Sequence, residues 1–217
     1  MAKDDWFRKK TWEEDDKKDF FAHLKSSRSS GSKAQYLRIQ ASYLHGLDSD
    51  HTTRESLILL DQVLSDYPDS FERSQALVQR ADCLHALGLL DESIASYRAA
   101  LQSERDRPNV KTNAWLKFGW TVVQYRLRDL YLEVLEILQE FHPSMLFETD
   151  KFRLNGIKAI IAHDQGDRNS AREFAQRALG AASQQHSGFR YHPTVGLVSG
   201  ADKDSEIYEI LTLLVAP

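Results

Sequence analysis

From Lys33 to about Gln184, apolar residues recur three and four positions apart. No stretch alternates with period two, so the pattern predicts helix nearly throughout and no strand. The periodicity breaks at 45–53, 67–70, Gly88, 105–110, 142–144 and 164–169. Pro68, Pro108 and Pro143 sit in three of these breaks, where a missing amide hydrogen costs least. Ahead of this region Thr11 and Glu14 have capping-box spacing, which predicts a helix from Trp12 carrying Phe20, Phe21 and Leu24 on one side. The serine-rich run 26–32 reads as a flexible linker. After Gln184 the run 186–200 is rich in glycine and aromatics without helical period, an extended loop or packed tail. Ile207, Ile210, Leu211 and Leu214 then have the one-face spacing of a last helix starting near Asp204 or Ser205. The expected organisation is a charged arm and capping helix over 1–32, a helical domain over 33–184, and a tail with a capping helix over 185–217.

The helical region repeats itself. Gly88 to Leu101 aligns without a gap on Gly166 to Leu179, sharing a turn glycine, a small residue five later and a final Ala-Leu. Weaker copies lie at 56–64 and 134–141, so Ser56, Ser93, Val134 and Ala171 are equivalent, spaced 37, 41 and 37 residues apart. A small residue in each preceding helix matches them: Ala41, Ala81, Gly119 and Ala159. Over about 34–184 this resembles the tetratricopeptide repeat, a helix-turn-helix unit of 34 residues with W-x2-L-G-x2-Y, A-x3-F and P elements. Trp115-Leu116-Lys117-Phe118-Gly119 nearly reproduces the first element, Ser93 with Tyr97 the second, and Pro68 the third. The sequence departs from the family in its longer spacings, in Ser56 and Val134 for alanine, and in Leu60, Leu138 and Ala175 for the aromatic. The resemblance implies an all-α array of about four helical hairpins, an α-solenoid; an irregular helical bundle with the same period is the rival.

Composition narrows the function classes. At 41% hydrophobic and 28% charged, the 217-residue chain has the balance of a soluble globular protein. A net charge of -4 gives no general pull toward nucleic acid or anionic membrane, and no run is long and apolar enough to span one. Cys83 is the only cysteine, which excludes internal disulfides and multi-thiolate metal sites and points to a reducing, cytoplasmic setting. The catalytic and phosphate-binding motifs sought in the chain are not found, so no catalytic residue, metal or cofactor is expected.

The family resemblance implies a protein or peptide partner held on the concave face lined by each first helix. One turn either way from the small residues stand Arg38, Ser42, Val78, Asp82, His85, Leu116, Trp120, Val123, Gly156, Ile160 and His163. Relatives that clamp a C-terminal carboxylate pair use Lys and Asn where Arg38 and Ser42 stand, so that clamp is not implied. Trp120 is either an interface anchor or core packing. Arg38 either binds a partner's carboxylate or pairs with Asp48 or Asp50. In the tail, either Phe189 and Tyr191 pack on the last hairpin with Arg190 solvated or bonded to backbone, or the segment folds back and occupies part of the groove. With His186, His192 and an inner-face Asp82 or His163 they would also be the materials of an enzyme, a weaker reading. Trp6, Phe7 and Trp12 either dock a partner or cover the first repeat. The leading expectation is a non-catalytic adaptor. The alternative is a dedicated inhibitor of one protein, such as an immunity protein, antitoxin or effector chaperone. The sequence does not decide whether the chain forms homo-oligomers.

Overall fold

The computed structural model describes residues 5–47, 49–141 and 147–216, and among these every regular element is helical. Met1 to Asp4, Asp48, the 142–146 segment with the expected break at Pro143, and Pro217 lie outside the described residues. The chain divides into two compact units, residues 1–114 and 115–217. Among the described residues no helix is long and apolar enough to cross a membrane.

The first unit holds α1 (Glu14–Ser26), α2 (Ser30–His45), α3 (Asp50–Asp66), α4 (Arg73–Ala86) and α5 (Leu90–Asp106). Helix α1 starts two residues later than Thr11 and Glu14 predict. The box is formed instead by Glu13 and Asp16, with the Glu13 amide donating to Asp16 Oδ2 at 3.2 Å. Trp12 is left outside the helix and buried, its indole donating to Glu55 Oε2 of α3 at 3.0 Å. Phe20 and Leu24, four apart, share the buried face; Phe21, a further 100° round the helix, is 38% exposed. The serine run is not a linker. Ser29 caps α2 by accepting from the Ser32 amide at 3.0 Å, and Ser30 to Ser32 form its first turn. The arm is tied to α2 reciprocally: the Lys9 amide donates to Gln40 Oε1 and Gln40 Nε2 donates to the Lys9 carbonyl, both at 2.9 Å. Trp6, Phe7, Trp12 and Phe20 thus cover the first hairpin with rings, Trp6 and Phe7 meeting Tyr36 of α2.

The second unit holds α6 (Ala114–Gln124), α7 (Tyr131–Glu140), α8 (Glu148–Asp164), α9 (Arg168–Ala182), α10 (Gly200–Lys203) and α11 (Glu206–Val215). Ser205 caps α11, which starts where the sequence places it and packs on α9 and α8 through Ile207 and Leu211. The short α10, closed by a Ser199–Asp202 capping box, has no counterpart in the sequence reading.

The α2–α3, α4–α5 and α8–α9 pairs pack as hairpins, α11 lies on α9 and α8, and Gly119 of α6 meets Val134 of α7, as expected for helical-hairpin repeats. The register is visible in burial. All eight small-residue positions are buried, and so are the positions four residues on in the second helices: Leu60, Tyr97, Leu138 and Ala175. The close approach is achieved in two ways. Ser56 Oγ donates to the Ala41 carbonyl at 2.8 Å and Ser93 Oγ to the Ala81 carbonyl at 2.9 Å, so the serines that depart from alanine hydrogen-bond across their hairpins. In α6–α7 the space comes from glycine: a Cβ at Gly119 would lie 3.2 Å from Val134 Cγ1 and 3.0 Å from Ile157 Cδ1. Cys83 is a buried neighbour of Ser56, with 3.3 Å from Sγ to Oγ.

The α4–α5, α6–α7 and α8–α9 turns share one geometry as well. Leu89 N donates to Leu84 O at 2.9 Å, Leu127 N to Val122 O at 3.0 Å, and Asp167 N to Ala162 O at 2.9 Å, the six-to-one bond that ends a helix on a left-handed residue. That residue is Gly88 (φ 74°) in α4–α5 and Gly166 (φ 83°) in α8–α9. In α6–α7 it is Arg126 (φ 52°). No glycine or proline marks this turn, and the sequence reading ran straight through it.

Candidate functional site

The residues singled out as partner-binding fall in different surroundings. Arg38 is half-buried and pairs with Glu72, not with Asp50, and Asp48 lies outside the described residues. Asp82 accepts from the Tyr97 hydroxyl at 2.7 Å, and His85 is half-buried one turn further along α4. Val78, Leu116, Val123, Gly156 and Ile160 are buried. The physical reason is geometric: positions three and four residues from a helix-contact residue lie on the same stripe, and that stripe is largely interior. His163 is exposed near the end of α8.

The tail loop turns on itself. The Ser187 amide donates to the Pro193 carbonyl at 2.8 Å and the Ser187 hydroxyl to the His192 carbonyl at 2.6 Å. Phe189, 40% exposed, sits 6.2 Å from the ring of Phe147; Arg190 lies over Tyr191 at 5.3 Å, and Tyr191 is 78% exposed. Tyr191 therefore does not pack on the last hairpin. Gly196 anchors the loop's end: its carbonyl accepts from the Thr149 amide at 2.9 Å, and its positive φ and contact with the Phe147 ring leave no room for a Cβ.

Trp120 is where geometry and chemistry converge. One side of its ring lies against α8, where a Cβ at Gly156 would be 3.1 Å from Cζ3, and Phe152 stands 5.6 Å away. The rest faces a cleft of about 370 Å³ within the second unit. Arg126 and Arg153 line the cleft with it, and the segment from Ser199 to Ile210 lies across from them. Arg153 holds its guanidinium 5.7 Å over the Trp120 ring, a cation–π arrangement, and donates from Nη2 to Asp202 Oδ1 at 3.0 Å. Its Nε is buried and has no hydrogen-bond partner.

Charge around the cleft is managed unevenly. Asp164, its side chain 7% exposed at the C-terminal end of α8, accepts from Tyr131 at 2.6 Å and from Arg126 Nη1 at 2.9 Å, with Arg128 Nε at 3.6 Å. Burial opposes ionisation of Asp164, but these partners outweigh it and hold the carboxyl below its ordinary range. Burial and the same carboxylate push the Tyr131 phenol up to about 12. Asp202 behaves like Asp164: burial is outweighed by the Ser199 hydroxyl and Arg153. Asp150 goes the other way, because burial raises its carboxyl and Arg153 recovers only part of the shift.

Of the residues lining the cleft, sequence reasoning singled out Trp120 and Val123 but not Arg126, Arg153 or Asp202. Arg153 stands six residues before Ala159, more than one helical turn from the small residue, and its partner comes from a four-residue helix that no periodicity reveals. Arg126 had a signal: it stands seven residues after Gly119, as Gly88 stands after Ala81 and Gly166 after Ala159.

Neither curated proteins nor solved structures give a match to the chain. The tetratricopeptide repeat family model matches residues 74–107, the α4–α5 hairpin, so the resemblance read from the repeat frame is carried there by the unit with the turn glycine, the small pair Ala81 and Ser93, and the aromatic Tyr97.

Proposed function

We propose that the chain is a non-catalytic protein-interaction module, a tetratricopeptide-like adaptor that takes a protein or peptide on its first-helix faces. The match over residues 74–107 supports this class, since repeats of this family serve in protein binding. The observation that carries the site assignment is Trp120, backed by α8 on one side and open to a cleft beside a partly satisfied arginine. Large aromatics and arginines held in a pocket are the usual source of interface energy.

The test is affinity capture with the tagged protein from extract of its own cells, beside Trp120→Ala. Thermal unfolding by circular dichroism would confirm that the variant is folded at the capture temperature. One or more proteins recovered by the wild type and lost from the folded variant is the expected result. Several clients of modest affinity mark an adaptor; a single client held tightly would favour the dedicated inhibitor. No reproducible client would sink the proposal.

A further inference from the structure

Arg153 is poorly served by its internal partner. Asp202 takes one hydrogen bond from Nη2, while Nε on the adjoining edge is buried with no acceptor. A guanidinium presents Nε and Nη2 as a fork matched to the two oxygens of a carboxylate, so half of that recognition is unused. The segment delivering Asp202 is lightly held. Gly200, Ala201, Lys203 and Asp204 are exposed, and α10 is only four residues long. Without Asp202 the charged lining would be Arg126, Arg153 and Glu206, and since Arg126 is held by Asp164, Arg153 would be the cation beside Trp120 that has lost its hydrogen-bonded carboxylate. Arg126 is kept in that cleft despite a left-handed backbone that glycine supplies at the equivalent turns, and strain of this kind gathers at functional positions.

We infer that the cleft is a binding site for a partner segment bearing a carboxylate side chain, and that Asp202 on the strap from Ser199 to Ser205 is its built-in stand-in. The incoming carboxylate takes the Nε and Nη2 edge of Arg153, the strap swings out, and apolar side chains of the partner lie on Trp120. The inference rests on the protein-binding reading above, and it adds the ligand's chemistry and a self-occupied resting state. It concerns Arg153 on α8, not the first-hairpin positions of Arg38 and Ser42.

The test uses the full chain and a displayed library of random twelve-residue peptides. Selection is made on Asp202→Asn, which removes the stand-in's charge, with rejection of clones that bind the support without the protein. Expected are clones sharing one Asp or Glu, binding Asp202→Asn at least about tenfold more tightly than wild type by fluorescence anisotropy, because the ligand no longer competes with a resident carboxylate. Replacing the shared acid by its amide, or Arg153 by Gln, should abolish binding. Failure to select any clone, clones without a shared acid, equal affinity for wild type and Asp202→Asn, or binding that survives Arg153→Gln would each overturn the inference. If Asp202→Asn does not fold, Ser199→Ala loosens the latch without altering charge and should give a smaller gain in the same direction; no gain there overturns it too. A client captured equally by wild type and Arg153→Gln removes this site and leaves the module reading intact. Arg153-dependent peptide binding with no client from extract does the reverse.

Discussion

The two units build the same hairpin with different chemistry. In the first, serine hydroxyls of the second helix bond to carbonyls of the first, glycine turns the α4–α5 hairpin, and the open end is sealed by rings. In the second, glycine and alanine make the close approach, an arginine occupies one glycine position, and an ion-paired strap lines the cleft beside Trp120. One unit spends its special residues on closure, while the other keeps strain and half-satisfied charge beside an aromatic ring. That contrast, more than any single residue, is why the binding site is proposed in the second unit.

The largest expected effect tests the difference between the two ends. Phe20→Ala empties a fully buried ring from the aromatic seal and should cost about 3–5 kcal/mol by denaturant unfolding. Asp202→Asn at the other end removes the charge from an ion pair whose carboxylate is 10% exposed and should cost about 1.5 kcal/mol, the low end for a charge-assisted bond because asparagine can still accept from Arg153. Equal losses would mean that the strap is structural closure as well.

The seams are probed by Gly119→Val, which places methyls where Val134 and Ile157 already lie and should cost about 1–3 kcal/mol. Much of the fold was legible at this level. The buried stripe, the frame of small residues and the α11 start all follow from periodicity, because each repeats a local rule. The turn at Arg126 was not, since it obeys the rule of its neighbours with an unlisted residue type. Nor was the Arg153–Asp202 pair, whose members lie 49 residues apart and meet only through tertiary packing.

Arg126→Gly relieves about 1 kcal/mol of left-handed strain but gives up a charge-assisted bond worth about 1.5–3 kcal/mol, so it should destabilise the wild type modestly. In an Asp164→Asn background the bond is weakened beforehand and the same change should become neutral or stabilising, a reversal that a double-mutant cycle reads directly. The Asp164 carboxyl is held below its ordinary value, so its contribution is present above about pH 4 and is lost as pH falls through the lower folded value. The stability gap between wild type and Asp164→Asn should therefore close below pH 4.

Smaller effects belong to the first unit. Ser93→Ala should cost about 1 kcal/mol, and Ser56→Ala a similar amount, since each removes one buried hydrogen bond and leaves the residue the family itself favours. Glu104 of α5 is 1% exposed, and burial raises its carboxyl despite the Thr112 hydroxyl. A raised carboxyl contributes its stability below the unfolded value and loses it as pH rises through the folded one. Glu104→Gln should accordingly raise the melting temperature at pH 7, with the advantage vanishing toward pH 4.

The most direct measurement is hydrogen–deuterium exchange on the full chain with and without the protein recovered from its own extract. The account predicts slower exchange in 120–126 and 150–156 and faster exchange in 199–205, as a ligand enters the cleft and the strap leaves it. Slower exchange confined to α7 and α9 or to the 186–193 loop, with the strap unchanged, would contradict it.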